Sequence, residues 1–413
     1  MNPFYGSSIL NSYLSLLGKS FHEIPIGSRL SLEETAQTPH ALHIPDATYI
    51  ITLDVDTLLL PGYALRLVSF LEQADHERIA VAQTLYNAIP NAPGLLERIA
   101  GATANLAYLS QQGCASYGVT FWVGACAVLR KAALQTIRHT TQERDFEVTR
   151  YIKDRTATED TESTFDLLEQ GWSIYNYPER LAYSATPADF GALLIQRRRW
   201  ASGGLLLLPK LMHLFWGQPF RLRTLAQTSI RLNYLITTCV GSVSQLLLLL
   251  IPFADRSVEN VWFLFIAVLC AFLYTRDLVQ MGYRTHDAFH LYALHLMLIP
   301  IHLGGISMSL YQAATDTKIP FHRTPKVQAR TSAPSHYILC EGALLIYCLV
   351  VCLLDLSSTR FVHALYTGAH ALIFLGIFTW FIGWKASVED VFRRKEGKSP
   401  RPGNHSCENE KPA

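Results

Sequence analysis

Four long apolar segments in the second half of this chain constrain its fold more than any other feature. They cover residues 230–252, 258–275, 337–355 and 361–384. An α-helix needs about 20 predominantly apolar residues to cross the hydrocarbon core of a bilayer. The sequence therefore predicts four membrane spans, preceded by a more polar half that is typical of a soluble α/β domain.

A fifth apolar stretch, 288–311, is predicted to lie along the membrane surface. It contains His290 and Pro300. If it crossed the bilayer, the basic loop at 312–335 would face the outside and violate the positive-inside rule. With four spans, both that loop and the basic cluster at 393–395 are cytoplasmic.

The remaining composition excludes several classes of protein. The net charge is only +2, and the basic residues do not form an aromatic-laced surface, so we expect no nucleic-acid partner. The eight cysteines show no Cys-x-x-Cys spacing, which argues against a zinc site or a disulfide framework. Residues 1–17 lack the basic leader of a signal peptide, so the polar half is expected to stay in the cytoplasm.

Two carboxylates follow the first clear strand. The apolar run Tyr49–Leu53 ends in Asp54-Val55-Asp56. A buried strand delivers such acids to the carboxyl edge of a sheet, where α/β folds bind their ligands. The pair is either two ordinary loop acids or a site for a hard divalent cation such as Mg²⁺ or Mn²⁺.

The following residues alternate between helical and extended patterns. The turn residues Pro61-Gly62 and the 90–94 segment separate them. The predicted elements are a helix at 63–73, a strand at 79–84, a helix at 95–112, extended pieces at 120–124 and 127–129, a helix from Lys131, and a polar loop at 139–157.

A second acidic signature, Thr158-Glu159-Asp160, begins a predicted helix that ends before Gly171. Asp160 at the helix start and glycine just past its end match common capping preferences. Capping alone would explain the aspartate. The alternative makes Asp160 a general base that accepts the proton of a hydroxyl group.

A basic signature, Gln196 to Trp200, precedes the apolar half. One interpretation is a juxtamembrane cluster in which arginines meet lipid headgroups and Trp200 marks the interface. The other uses Arg199 as a planar fork for phosphate oxygens and Trp200 as a flat wall for a sugar ring. The leucine run after it is interrupted by Pro209 and is too short to span, so it predicts an interfacial helix.

Taken in order, these signatures resemble the membrane-embedded family 2 glycosyltransferases of GT-A fold, the group that includes cellulose, chitin and hyaluronan synthases. The resemblance is carried by short motifs spread from residue 54 to residue 326. They are Asp54-x-Asp56 with Pro61, Gln83-Thr84, Phe121-Trp122-x-Gly124, Thr158-Glu159-Asp160, Gln196-x-x-Arg199-Trp200 and Phe321-x-x-Thr324-Pro325-Lys326.

This resemblance implies an inverting transfer from a nucleotide-sugar donor, UDP-linked, to a glycan or lipid acceptor, with processive polysaccharide synthesis as one form. It implies a base at Asp160 beside Glu159, and a divalent metal ion held by Asp54 and Asp56. The other residues would bind donor or acceptor: Arg199 and Lys326 with Asp54 at the nucleotide, and Gln196, Arg199, Trp200, Phe121, Trp122, Gly124, Phe321 and Thr324 at the substrates.

The resulting domain prediction has three parts. Residues 1–220 form a partial GT-A domain that ends in an interfacial helix, 221–384 form the transmembrane region with its interfacial helix and a gate-like loop, and 385–413 form a disordered basic tail. The expected location is the plasma or inner membrane, with the catalytic domain and tail cytoplasmic.

Residues 1–45 show no repeated strand and helix pattern, so the alternative is a truncated or catalytically silent subunit or scaffold that works with other subunits of a polysaccharide synthase.

Overall fold

The computed structural model describes the chain except residues 1–5, 28, 37, 85–86, 91, 125, 144–145, 154–155, 157, 252–257, 316, 318–329 and 393–413. The described residues form a mixed α/β half that reaches Ser184, followed by helices. The chain thus changes architecture near the place where its composition changes.

The first segment is a helix followed by three antiparallel strands. These are α1 (Gly6–Leu16), β1 (Ser20–Ile26), β2 (Arg29–Thr35) and β3 (Leu42–His43), with β1 in the middle. Buried Asn11 ties α1 to the rest of the domain, because its amide donates to the Ile152 carbonyl at 2.8 Å and its oxygen accepts from the Tyr151 and Ile152 amides. In the described part of this segment the three strands follow one another and pair antiparallel, without a helix between them.

The middle of the chain contains the main sheet, which has four strands. The helices and strands of this part of the chain, in order, are β4 (Tyr49–Thr52), β5 (Thr57–Leu59), α2 (Tyr63–Leu71), β6 (Ile79–Gln83), β7 (Asn87–Ala88), α3 (Leu95–Ser116), β8 (Ala127–Arg130), α4 (Lys131–Thr136), β9 (His139–Glu143), β10 (Phe146–Arg150), α5 (Glu159–Glu169), β11 (Ser173–Asn176) and β12 (Ala182–Ser184). The spatial order is β11-β6-β8-β4, in which β6 is parallel to β11 and β8 is antiparallel to both β6 and β4. All five residues of β6 are buried, so helices cover both faces of the sheet.

Most of the predicted elements are present. The structure confirms the strands at 49–53 and 79–84 and the helices that start at 63, 95 and 131, with small shifts at their ends. The prediction of a loop at 139–157 is wrong, because β9 and β10 form a hairpin there. The alternation of threonine, valine and polar residues in these strands suits a half-exposed sheet, and the polar composition concealed it.

The C-terminal half is helical. Its helices are α6 (Phe190–Gly203), α7 (Leu208–Trp216), α8 (Leu222–Leu250), α9 (Val258–Gln280), α10 (Asp287–Thr315), α11 (Ser335–Ser357), α12 (Phe361–Ile377) and α13 (Trp384–Phe392). A π-helical turn extends α12 to Ile382. By length and composition, four of the described helices could cross a membrane: α8, α10, α11 and α12 with its extension. Some side chains of α9 lie outside the described residues.

Helix α10 packs against the α/β half. In the most apolar stretch of α10, 56% of the residues are buried inside the protein, whereas the corresponding share in α8 is 17%. A methyl group at Gly305 would lie 2.6 Å from the Arg198 carbonyl oxygen of α6, and the Ser309 hydroxyl donates to the Ser202 carbonyl of the same helix at 2.5 Å. At the other end of α10, buried Asp287 pairs with Arg98 of α3 at 2.6 Å. These contacts fix α10 to α3 and α6.

Candidate active site

The first acids lie in the turn that follows strand β4. The Thr57 amide donates to the Asp54 carbonyl at 3.0 Å, which closes a tight turn around exposed Val55. Asp54 is exposed and Asp56 is half-buried. Beneath the turn, burial together with the charges of Asp54 and Asp56 raises the pKa of the Cys126 thiol to about 11, so both carboxylates lie close to this protonated thiol.

The second pair of acids occupies the first turn of helix α5. The helix begins at Glu159 after Thr158, so the prediction that Asp160 is its N-cap is wrong. The Asp160 carboxylate nevertheless accepts the Thr161 amide at 2.6 Å. Acids are favoured at this position because the helix dipole leaves partial positive charge at the N-terminus.

These carboxylates share one electrostatic environment with Arg199. Burial and then the charge of Asp160 raise the pKa of Glu159, and Asp54 contributes in the same direction. Burial also raises the pKa of Asp160 above the usual aspartate range. The Arg199 guanidinium opposes both shifts. Glu159 is therefore within electrostatic reach of Asp54, Asp160 and Arg199, although 145 positions separate Asp54 from Arg199.

Gly124 fits closely against the Asp160 carboxylate. Its φ is +87°, in the left-handed region that favours glycine, and a methyl group on it would lie 2.8 Å from Asp160 Oδ2. Two side chains hold its carbonyl oxygen: the Thr52 hydroxyl donates at 2.9 Å and the Trp122 indole N–H at 3.0 Å. The backbone of this segment thus forms one wall beside Asp160.

Buried Gln83 orders the same segment from below. Its amide nitrogen donates to the Phe121 carbonyl and to Asn176 Oδ1, each at 2.7 Å. Its amide oxygen accepts the Val123 amide at 3.1 Å. The sequence analysis quoted Gln83 only as part of a motif. A glutamine at the end of an otherwise apolar strand is the signal that would have marked it as a structural support.

Phe121 and Trp122 are each only 2% exposed. Phe121 stacks on Tyr234 of α8, with ring centroids 4.4 Å apart, and the Trp122 amide donates to the Thr164 hydroxyl at 3.0 Å. Their side chains therefore belong to the packing under the site. Phe321, Thr324 and Lys326, the predicted gate residues, lie outside the described residues.

Helix α6 supplies the basic side of the site. Its start is capped by Asp189, which accepts the Ala192 amide at 2.8 Å. Gln196, Arg199 and Trp200 are three and four positions apart and so share one face of the helix. Trp200 is exposed, and the Arg197 guanidinium lies over its ring at 4.8 Å.

The end of α6 contacts the residue before the acid pair. A methyl group at Gly203 would overlap the side chain of Thr158, and one at Gly204 would overlap the Leu235 carbonyl of α8. Only glycines allow the three segments to approach so closely. The sequence analysis did not foresee these contacts.

The acids of the β4 turn suit a hard divalent cation. Mg²⁺ usually takes one or two protein carboxylates and completes its shell with water and phosphate oxygens. Among the described residues no cluster of three or more His, Cys, Asp or Glu side chains is placed to hold a metal ion. Two carboxylates, one exposed and one half-buried, are a donor set of the kind that suits an ion whose other ligands are water and phosphate oxygens.

A mixed α/β domain that carries two acidic turns and one basic helix is joined here to candidate membrane helices. Residues 49–275, more than half of the chain, match the family model described as "Glycosyl transferase family group 2". The chain belongs to this family.

The chain is similar to curated proteins that are named as cellulose synthases. The chain is 25% identical over 174 residues to "Cellulose synthase 2" of Novacetimonas hansenii, and 27% identical over 176 residues to "Putative cellulose synthase 2" and "Putative cellulose synthase 3" of Komagataeibacter xylinus. Each match covers 41% of this chain and 10% of the relative. The chain is thus a cellulose-synthase-like member of the family, matched over a small part of these relatives.

Proposed function

We propose that this protein is an inverting glycosyltransferase. It moves a sugar from a UDP-sugar to a hydroxyl group of a glycan or lipid acceptor at the cytoplasmic face of the plasma or inner membrane, and repeated transfer would build a polysaccharide. The observation that carries the proposal is the position of Asp160, whose carboxylate lies against the Gly124 backbone in one electrostatic environment with Arg199 and Asp54.

Asp160 is assigned as the general base. Its carboxylate would accept the proton of the acceptor hydroxyl while that oxygen attacks the anomeric carbon of the donor sugar. The bond from that carbon to the diphosphate breaks at the same time, and the nucleoside diphosphate leaves. A base is most effective when its pKa is near the working pH, so burial that raises the pKa of Asp160 supports this assignment.

The remaining predicted residues would position the substrates. Asp54 and Asp56 would hold the divalent cation, which supplies charge stabilisation for the departing diphosphate. Arg199 suits phosphate oxygens because its guanidinium forms paired hydrogen bonds with them, and Gln196 would help it. Exposed Trp200 would stack on an acceptor sugar.

The membrane arrangement is part of the proposal. We assign α8, α9, α11 and α12 as the four spans and α10 as a helix at the membrane surface, because α10 packs against α3 and α6 of the α/β half. The loop 312–335 is then cytoplasmic, and Phe321, Thr324 and Lys326 would close over the bound nucleotide.

The test is sugar transfer from nucleotide donors in membranes that contain the full chain. Wild-type protein should transfer sugar in the presence of Mg²⁺ or Mn²⁺, and Asp160→Asn should abolish transfer without loss of folded protein. Asp75→Asn is the matched control, since Asp75 is an exposed aspartate remote from the site.

A folded preparation that transfers no sugar from any common nucleotide donor would overturn the enzyme assignment. A pull-down from native membranes then decides whether the chain acts as a silent subunit. Recovery of the chain alone together with transferase activity would exclude that alternative.

A further inference from the structure

A second set of acids lies further along helix α5, beyond the Glu159 and Asp160 of its first turn. Glu162, Asp166 and Glu169 are spaced four and three positions apart, so they form a stripe along one side of the helix. Glu162 is 1% exposed, and its Oε2 accepts the Thr156 amide at 3.0 Å. None of these three acids has a role in the proposed reaction.

Helix α7 supplies Lys210 and His213, which contact this stripe. Lys210 Nζ lies 2.8 Å from Asp166 Oδ1 and 3.3 Å from Glu162 Oε1. One turn further along α7, His213 Nδ1 lies 3.1 Å from Glu169 Oε1. Lys210 is thus a single ammonium group shared by two largely buried carboxylates, and charge pairs removed from water are screened less than surface pairs.

Apolar packing joins the same two helices. Phe165 of α5 belongs to one apolar cluster with Leu211 and Leu214 of α7, with Leu207 just before that helix, and with Phe121 under the site. The α5–α7 contact therefore has an apolar part and a charged part. Both fix the rotation of α5, which carries Asp160 in its first turn.

The rotation of α5 matters because Asp160 has little room. The carboxylate lies so close to the Gly124 backbone that a methyl group there would be 2.8 Å from Oδ2, so a rotation of α5 would change this contact. Helix α7 is followed closely by α8, and Trp216 at its end and Phe220 just after it are 79% and 78% exposed. Such residues are typical of a helix at a membrane surface.

We propose that Lys210 is a positioning residue for the base. Its ammonium group joins α7 to α5, so the position of α7 and α8 in the bilayer determines the position of the Asp160 carboxylate. This inference rests on the proposed transferase function for its consequence. The contact itself does not depend on that function.

The experiment compares Lys210→Met with Lys210→Arg and with Lys153→Met in protein reconstituted into lipid nanodiscs. Lys153 is the matched control, since its Nζ lies 3.1 Å from the same Asp166 oxygen but comes from the segment before α5 and not from α7. Misplacement of a reacting group by about 1 Å can cost about 100-fold in rate. We expect Lys210→Met to lower kcat by about that factor with the donor KM within about twofold, and the other two variants to retain most of kcat.

Hydrogen exchange of the α5 amides gives a readout that needs no activity. The amide hydrogens of residues 161–168 should exchange faster in Lys210→Met than in the wild-type protein, whereas their exchange rate in Lys153→Met should match that of wild type. If the wild-type protein transfers no sugar, the proposed function fails, but hydrogen exchange still shows whether Lys210 of α7 stabilises helix α5. Wild-type kcat in Lys210→Met, or equal losses in Lys210→Met and Lys153→Met, would overturn the inference.

A second variant covers the case in which Lys210→Met does not reach the membrane. Lys210→Gln combined with Asp166→Asn removes the lysine and one of its two acids, so fewer buried charges are left without a partner. This double variant should show the same loss of kcat and the same faster exchange in α5. Wild-type values for both would contradict the positioning role.

Discussion

Replacement of Gly124 by alanine is the sharpest test of the site geometry. The added methyl group would lie 2.8 Å from Asp160 Oδ2, whereas ordinary contact begins near 3.4 Å, so the carboxylate has to retreat by about 0.6 Å. A retreat of that size should lower kcat by about 10- to 100-fold, which corresponds to about 1.4–2.7 kcal/mol of transition-state stabilisation. The φ of +87° adds about 1–2 kcal/mol of backbone strain that lowers stability.

The control separates the two effects. Gly171, just past the end of α5, has a φ of +76°, and a methyl group on it would meet no atom within 4 Å. Gly171→Ala should therefore lose similar stability and keep its kcat. The assay is transfer of radiolabelled sugar with thermal-inactivation rates measured on the same preparations. Wild-type kcat in Gly124→Ala, or an equal loss of kcat in Gly171→Ala, would refute the proposed contact between Gly124 and the base.

Three further predictions follow from the described contacts. Because the base acts only when it is deprotonated, the raised pKa of Asp160 places the acid limb of a kcat–pH profile above the usual aspartate range of about 4, and an acid limb at or below that range would contradict the assignment. Chelation with EDTA should abolish transfer, Mg²⁺ or Mn²⁺ should restore it, and Asp54→Asn should raise the metal concentration needed for half-maximal rate; unchanged activity in EDTA would remove the metal role. Gln83→Leu should destabilise the protein by about 1–3 kcal/mol, since it leaves the buried Asn176 amide oxygen and two backbone groups without their partner, and a melting curve like that of wild type would show that those groups find other partners.

Local patterns predicted the elements that hold the site better than its internal contacts. The apolar run before Asp54 predicted a buried strand with acids at its end; the structure confirms the strand and its position before the acids, but β4 is a partly exposed edge strand, so the prediction that it is buried is wrong. The hairpin at 139–150 was missed because its strands are polar, and the start of α5 was misplaced because Thr158 and Asp160 are both common capping residues.

The contacts between distant segments had no local signal. Gly124 touches Asp160 across 36 positions and Gly203 touches Thr158 across 45, so each glycine reads in the sequence as an ordinary turn or helix-end residue. Lys210 reads as one cation in an apolar helix. Its partners become visible only when the fold brings α7 beside α5, because spacing within α5 says nothing about which helix covers it.

The packing of α10 has a practical consequence for anyone who wishes to study the catalytic half in water. Leu96 and Ile99 of α3, together with Leu193 and Leu194 of α6, are buried in the same apolar cluster as Leu291, Leu294 and Leu298 of α10. A fragment that stops before α10 would expose the apolar surface of α3 and α6 to solvent and should aggregate, even if its sheet folds correctly. Detergent or nanodiscs are thus a requirement of the domain itself, and a soluble version would need α10 grafted back or its contact face redesigned with polar side chains.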